Sequence, residues 1–139
     1  MENSKKASGS CLCEAVKIEA SAMNTELGVC HCGMCRKWSA GPYLAVDCGT
    51  EIKIEGEDNI SRYSSSEWAE RAFCKKCGTS LFYRLKETNQ HMMSAEFFNE
   101  PELNFHHQIF VDEKPAYYEF ANNTKNMTGA EVMASFSGE

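Results

Sequence analysis

Seven of the eight cysteines in this chain fall into three groups: Cys11 and Cys13; Cys30, Cys32 and Cys35; Cys74 and Cys77. A thiolate is both a nucleophile and a soft metal ligand, and short regular spacing between thiols favours the second role. Side chains two apart on a strand point the same way, so the Cys-x-Cys pairs Cys11/Cys13 and Cys30/Cys32 each project two sulfurs to one side. The run Cys74-Lys75-Lys76-Cys77-Gly78 does the same in a turn. Its glycine is free to adopt the left-handed geometry that lets backbone N-H groups face the sulfurs. Lys75 and Lys76 offset the negative charge that four thiolates around one divalent zinc leave behind.

Counting ligands divides the set. A structural zinc takes a closed tetrahedron of four Cys or His ligands, which two pairs supply, so Cys11, Cys13, Cys74 and Cys77 are expected to form one site. Cys30, Cys32 and Cys35 then remain, with one coordination position open, the pattern of a catalytic zinc. A helix after Cys35, through Arg36, Lys37 and Trp38, would favour thiolate further through its N-terminal N-H groups. His31 lies between two same-facing cysteines and should point away from the metal. Cys48 has two readings. It is either a fourth ligand that closes the second site or a core thiol on the apolar face of Tyr43 to Cys48, beside Leu44 and Val46.

Arg36 and Lys37 follow the three-cysteine group directly and suit the carboxylates of an anionic substrate; both also read as solvated surface charges. Trp38 is either a stacking surface or a core aromatic. His91, His106 and His107 are available proton carriers that nothing in the sequence places near a metal, so no general base is assigned.

The elements that must position these residues read as strands. Leu12, Val16, Ile18 and Ala20 alternate with Cys11, Cys13, Ala15, Lys17 and Glu19, predicting one half-buried strand that carries both cysteines. Similar short alternations recur at Tyr43 to Cys48, Glu51 to Glu55, Arg71 to Phe73, Ser80 to Tyr83 and His107 to Val111, separated by Gly and Pro turns. The only other helical signal is a turn near Phe97 to Leu103. Residues 1–9 read as a flexible lead, 10–121 as a single zinc-binding domain, and 122–139 as a partly ordered tail. At 139 residues the chain suits one domain, and no apolar run approaches the ~20 residues of a membrane-spanning helix. The net charge of −6 argues against a phosphate-tracking surface and hence against nucleic acid. No apolar stretch follows the basic residues at the N-terminus, so the expected compartment is the cytoplasm, where thiols stay reduced. The sequence gives no signal for oligomeric state.

The cysteine order, with its neighbours, resembles a known family, the glutathione-dependent formaldehyde-activating enzymes, grouped with the zinc-binding domain of centromere protein V. The resemblance is carried by Gly9-Ser10-Cys11-Leu12-Cys13, by Cys30-His31-Cys32-Gly33-Met34-Cys35-Arg36-Lys37, and by the stretch from Phe73 to Tyr83. His107 to Pro115 is similar to the family's closing strand and following turn. The resemblance implies a mainly β, β-tent fold with two zinc ions, one structural and one catalytic, divided as ligand counting divides them. It also implies a carbon-sulfur lyase that joins glutathione reversibly to formaldehyde as S-(hydroxymethyl)glutathione, with the open three-cysteine zinc binding the substrate thiolate. The partner would be a small-molecule thiol adduct. Cys48 has no counterpart in the family pattern. The alternative is a non-enzymatic zinc scaffold that binds protein, with both sites closed.

Overall fold

The computed structural model describes residues 3–136. Along the chain run β1 (Ser4–Ser10), β2 (Lys17–Asn24), β3 (Glu26–Cys30), α1 (Gly33–Ser39), β4 (Tyr43–Asp47), β5 (Ile52–Glu55), β6 (Ile60–Tyr63), β7 (Ala69–Cys74), β8 (Ser80–Leu85), β9 (His91–Ser94), β10 (Asn104–Ile109), β11 (Lys125–Met127) and α2 (Gly129–Phe136). The fold is therefore mainly β, as expected. Two compact units share these elements: the described residues up to Thr25 together with Val46–Leu103, and Glu26–Ala45 together with the described residues from Asn104 on.

In the first unit β1, β2 and β5 pair antiparallel in the order β1-β2-β5, with Ser10 opposite Lys17 and Ile18 opposite Ile54. A second antiparallel run, β9-β8-β7-β6, sets Phe82 between Met93 and Ala72. Val16, Ile18, Met23, Leu81, Phe82 and Met93 are fully buried and form the apolar interior of this unit. The alternation of β2 buries Ile18 and Ala20 and leaves Lys17 outside, the signature of a strand with one wet face.

The second unit orders its strands β11-β10-β3-β4. β3 pairs antiparallel with β4, setting Cys30 opposite Tyr43, and α1 connects them. β10 lies parallel to β3, with Ile109 beside Cys30, and β11 lies parallel to β10. The register slips between Phe105 and His107, a bulge that leaves His106 as the extra residue. His107 fits against β3 because residue 28 is glycine: a Cβ there would meet its Nε2 at 2.0 Å.

Four local expectations change. Ser4–Ser10 is a strand instead of a lead, because its backbone pairs with β2 even though its side chains are polar. Cys11 and Cys13 lie in the turn between β1 and β2 and not within one strand. That turn closes through the Cys11 N-H to the Val16 carbonyl (3.0 Å) and the Glu14 N-H to the Cys11 carbonyl (3.0 Å), with Glu14 at a φ of 67°. The helix starts at Gly33, ahead of Cys35. In β4 Tyr43 and Ala45 are buried whereas Leu44 is exposed.

Candidate metal centres

In the first unit the sulfurs of Cys11, Cys13, Cys74 and Cys77 all lie within 4.8 Å of one another. Cys11 and Cys13 are 3.7 Å apart and Cys13 and Cys74 3.8 Å. A tetrahedral zinc with bonds of about 2.3 Å needs sulfurs about 3.8 Å apart, so the group fits that ion. Two turns build it. The first is the hairpin loop between β1 and β2. The second is the knuckle after β7, closed by the Gly78 N-H to the Cys74 carbonyl (2.8 Å), with Gly78 at a φ of 81°.

Thr79 joins the two turns: its hydroxyl accepts the Leu12 N-H at 3.1 Å and lies 3.1 Å from the Cys77 sulfur. The hydrogen bond from Thr79 brings the Cys77 thiol down to about 5, a thiolate at neutral pH. Cys13 is pushed up to about 11: the Ala15 N-H lowers it, but burial and the thiols of Cys11, Cys77 and Cys74 outweigh that bond. Without a cation the four sulfurs resist ionising together, and a divalent ion removes that repulsion.

In the second unit the sulfurs of Cys30, Cys32 and Cys35 also lie within 4.8 Å of one another. Cys30 ends β3. Cys32 is the N-cap of α1, its sulfur accepting the Cys35 N-H at 3.4 Å, which brings the third thiol onto the same side one turn later. Cys30 is held well above the ordinary thiol range by its bonds to Cys32 and Cys35 and by burial. Around the group, the Gly33 N-H donates to Glu113 Oε1 at 2.9 Å and Arg36 Nε donates to the His31 carbonyl at 2.8 Å.

His31 is fully buried and turns its ring to polar partners instead of the sulfurs: Nε2 lies 2.7 Å from Gln108 Oε1 and Nδ1 2.8 Å from the Tyr118 hydroxyl. Burial lowers its pKa, against the opposing bond to Gln108. A cavity of about 660 Å³ is lined by Gly33, Arg36 and Lys37 of α1 and by Tyr117, Tyr118, Glu119 and Phe120. Arg36 is anchored by one nitrogen, with its two terminal nitrogens left to form a fork for a carboxylate.

The other candidates are members of neither sulfur group. Cys48 belongs to neither; it is buried in the first unit, and burial pushes its thiol up to about 12. His91 is buried there against Phe82, their rings 4.9 Å apart. His106 and His107 face each other through Nδ1 atoms 3.0 Å apart. Trp38 is half-buried. Sequence reasoning missed Thr79, Gln108, Glu113, Tyr117, Tyr118 and Phe120, none of which stands in a cysteine spacing.

The sequence profile of one family, described as glutathione-dependent formaldehyde-activating enzyme, matches residues 6–113. The chain belongs to this family. An uncharacterized lyase of Schizosaccharomyces pombe is 38% identical over 129 residues, a match that spans 91% of this chain and 94% of the relative. A crystal structure of a Rhodobacter sphaeroides protein superposes with a TM-score of 0.58 at 22% identity, covering 68% of this chain and 91% of that one, and so shares its fold. Both sulfur groups of this member of the formaldehyde-activating family lie inside the matched span, whereas Tyr117, Tyr118 and Phe120 lie beyond it.

Proposed function

We propose that the protein is a carbon-sulfur lyase acting on a glutathione adduct of the S-(hydroxymethyl)glutathione type. In this reading Cys11, Cys13, Cys74 and Cys77 hold a structural zinc and Cys30, Cys32 and Cys35 hold a catalytic one. The observation that carries it is the contrast between the two sulfur groups: four thiols joined by two turns in one, and in the other three thiols whose turn lends Gly33 to the lining of a cavity that Arg36, Lys37 and Glu119 also line. Cys48, outside the three-sulfur group and kept as a thiol by burial, is a core residue on this reading.

Bound to the three thiolates, zinc supplies a Lewis acid with an open fourth position at which a thiol is deprotonated. The protein's own residues must supply the rest. A thiol of pKa about 8.5 is already ~3% ionised at pH 7, so complete ionisation gains only ~30-fold, about 2 kcal/mol. Positioning has to contribute more. Arg36 and Lys37 clamp the carboxylates of the tripeptide, and the wall of Tyr117, Tyr118 and Phe120 covers its apolar stem and shields the reacting carbon from water. None of the eight cysteines is in a disulfide, which suits the reducing cytoplasm in which glutathione is plentiful.

The test is formaldehyde release from S-(hydroxymethyl)glutathione by zinc-loaded protein, beside the Cys35→Ser variant. Release that is fast in the first and absent in the second is expected, with two zinc ions per chain falling to one. Equal rates, or two zinc ions retained by the variant, would overturn the reading and turn attention to a protein-binding scaffold with both sites closed.

A further inference from the structure

Between β6 and β7 the chain runs through an irregular loop, Ser64-Ser65-Ser66-Glu67-Trp68. It lies at the end of the β7-β8 pair where Ala69 faces Leu85, the end away from the Cys74-Cys77 knuckle. The Lys86 N-H ties it there by donating to the Trp68 carbonyl at 2.9 Å. Ser64 is exposed, and its hydroxyl donates to the Ser66 carbonyl at 3.3 Å. That leaves the lone pairs of Ser64 Oγ for Lys86 Nζ, which also donates to the Ser66 carbonyl at 3.3 Å.

The partners of Lys86 are unusual for this chain, in which 20 acidic residues outnumber 14 basic ones. The arginines two positions before Ser64 and before Lys86 are both spent on carboxylates: Arg62 on Glu57 at 2.8 Å and Glu70 at 2.7 Å, Arg84 on Glu70 at 2.9 Å. Lys86 instead rests on two neutral oxygens of the loop, which hold a cation less strongly than an ionised group does. A dianion carried on Ser64 Oγ would meet the ammonium where it already stands. The neighbouring serines are less open. Ser65 is half-buried with its hydroxyl 3.2 Å from Nε of the buried Arg71, and Ser66 is half-buried with its N-H on the Ala69 carbonyl at 3.3 Å. Glu67, exposed and three residues after Ser64, places a carboxylate that suits a kinase with a basic peptide groove.

We infer that Ser64 is a phosphorylation site whose phosphate docks on Lys86 and clamps the loop to the end of β8. In the transfer, Ser64 Oγ bonds to the γ-phosphorus of a nucleoside triphosphate as the bond from that phosphorus to the bridging oxygen breaks. The nucleoside diphosphate leaves, and the hydroxyl proton passes to the catalytic base of the kinase. The product brings a charge of about −1.5 to −2 at pH 7 and three acceptor oxygens to an ammonium that had only neutral ones. The inference is independent of the lyase reading.

The experiment treats the zinc-loaded full chain with magnesium ATP and an acidophilic serine kinase, then maps the phosphate by peptide mass spectrometry. One phosphate on Ser64 is expected, and none in Ser64→Ala. Phosphorus-31 NMR of the product across pH reads the docking. The second ionisation of the phosphate should fall below the ~6 of an unrestrained phosphoserine in wild type. It should return there in Lys86→Met and stay low in Lys86→Arg, with zinc content and circular dichroism unchanged in both variants. A phosphoserine that merely projects into solvent would titrate alike in all three proteins. The inference is overturned if the folded chain takes up no phosphate, if the phosphate lies on Ser65 or Ser66 instead, or if wild type and Lys86→Met titrate together.

Discussion

Thr79 illustrates how much one hydroxyl can hold. It accepts the Leu12 N-H and bonds the Cys77 sulfur, so it ties the hairpin loop to the knuckle before any ion is present. Thr79→Val keeps the shape and loses both bonds; urea unfolding of the zinc-loaded protein should show a loss of about 1 to 2 kcal/mol. At the other group, on the proposed reading, Arg36 is the side chain whose geometry matters as much as its charge. Arg36→Lys keeps the cation but loses the fork and the anchor to the His31 carbonyl. Steady-state kinetics should show the KM for the glutathione adduct raised about tenfold, with kcat changed far less, because the contact is made to a part of the substrate that does not react.

At the scale of elements, the turns matter more to the sites than the strands do. Gly56 sits at a φ of 90°, where a Cβ would meet the Ala15 carbonyl oxygen at 2.0 Å, and the Asn59 carbonyl of the same turn receives the Lys75 N-H at 2.7 Å. Gly56→Ala should therefore cost about 1 to 3 kcal/mol in thermal or urea unfolding and loosen metal at the four-cysteine group before the other. The cysteine groups were legible in the sequence because a spacing of two or three residues survives any error in assigning the backbone. Cys11 and Cys13 show this: their alternation reads as a strand, they lie in a turn, and their sulfurs still come together. β1 was not legible, since Ser4, Lys5, Lys6 and Ser8 look like a loop until a partner strand satisfies their backbone. The start of α2 was legible and overlooked: Thr128 and Glu131 form a reciprocal capping box, Glu131 N-H to Thr128 Oγ1 at 3.2 Å and Thr128 N-H to Glu131 Oε1 at 2.8 Å. Tyr118 could not be read at all, because its partner His31 lies 87 residues away and no local pattern encodes that pairing.

For the whole molecule, the proposed division of the cysteines predicts unequal damage. Cys77→Ser should give unfolded or insoluble protein, since structural zinc is worth roughly 10 to 16 kcal/mol against a domain stability of about 5 to 15 kcal/mol. Cys35→Ser should leave a folded chain by circular dichroism. Acid should weaken the fold in a calculable direction. Burial lowers the pKa of His91 and of His107, the first against the opposing pull of the Gly49 and Asn89 carbonyls, so the folded state keeps both neutral. The unfolded chain takes up their protons near pH 6.5, and the stability present above that value is lost as the pH falls through and below it. With zinc in excess, the melting temperature should drop between pH 7.5 and 5.5, and drop less in His91→Phe. The separation of the two halves of the four-cysteine group also bears on how the protein is made. Cys13 and Cys74 are 61 residues apart, which at 5 to 20 residues per second means the first thiols leave the ribosome about 3 to 12 seconds before their partners. Cys30, Cys32 and Cys35 emerge in between, complete within a single turn, so the nascent chain can fill the wrong site first or oxidise across groups, and cells starved of zinc or short of reductant during synthesis should accumulate misassembled protein even though the finished fold is stable.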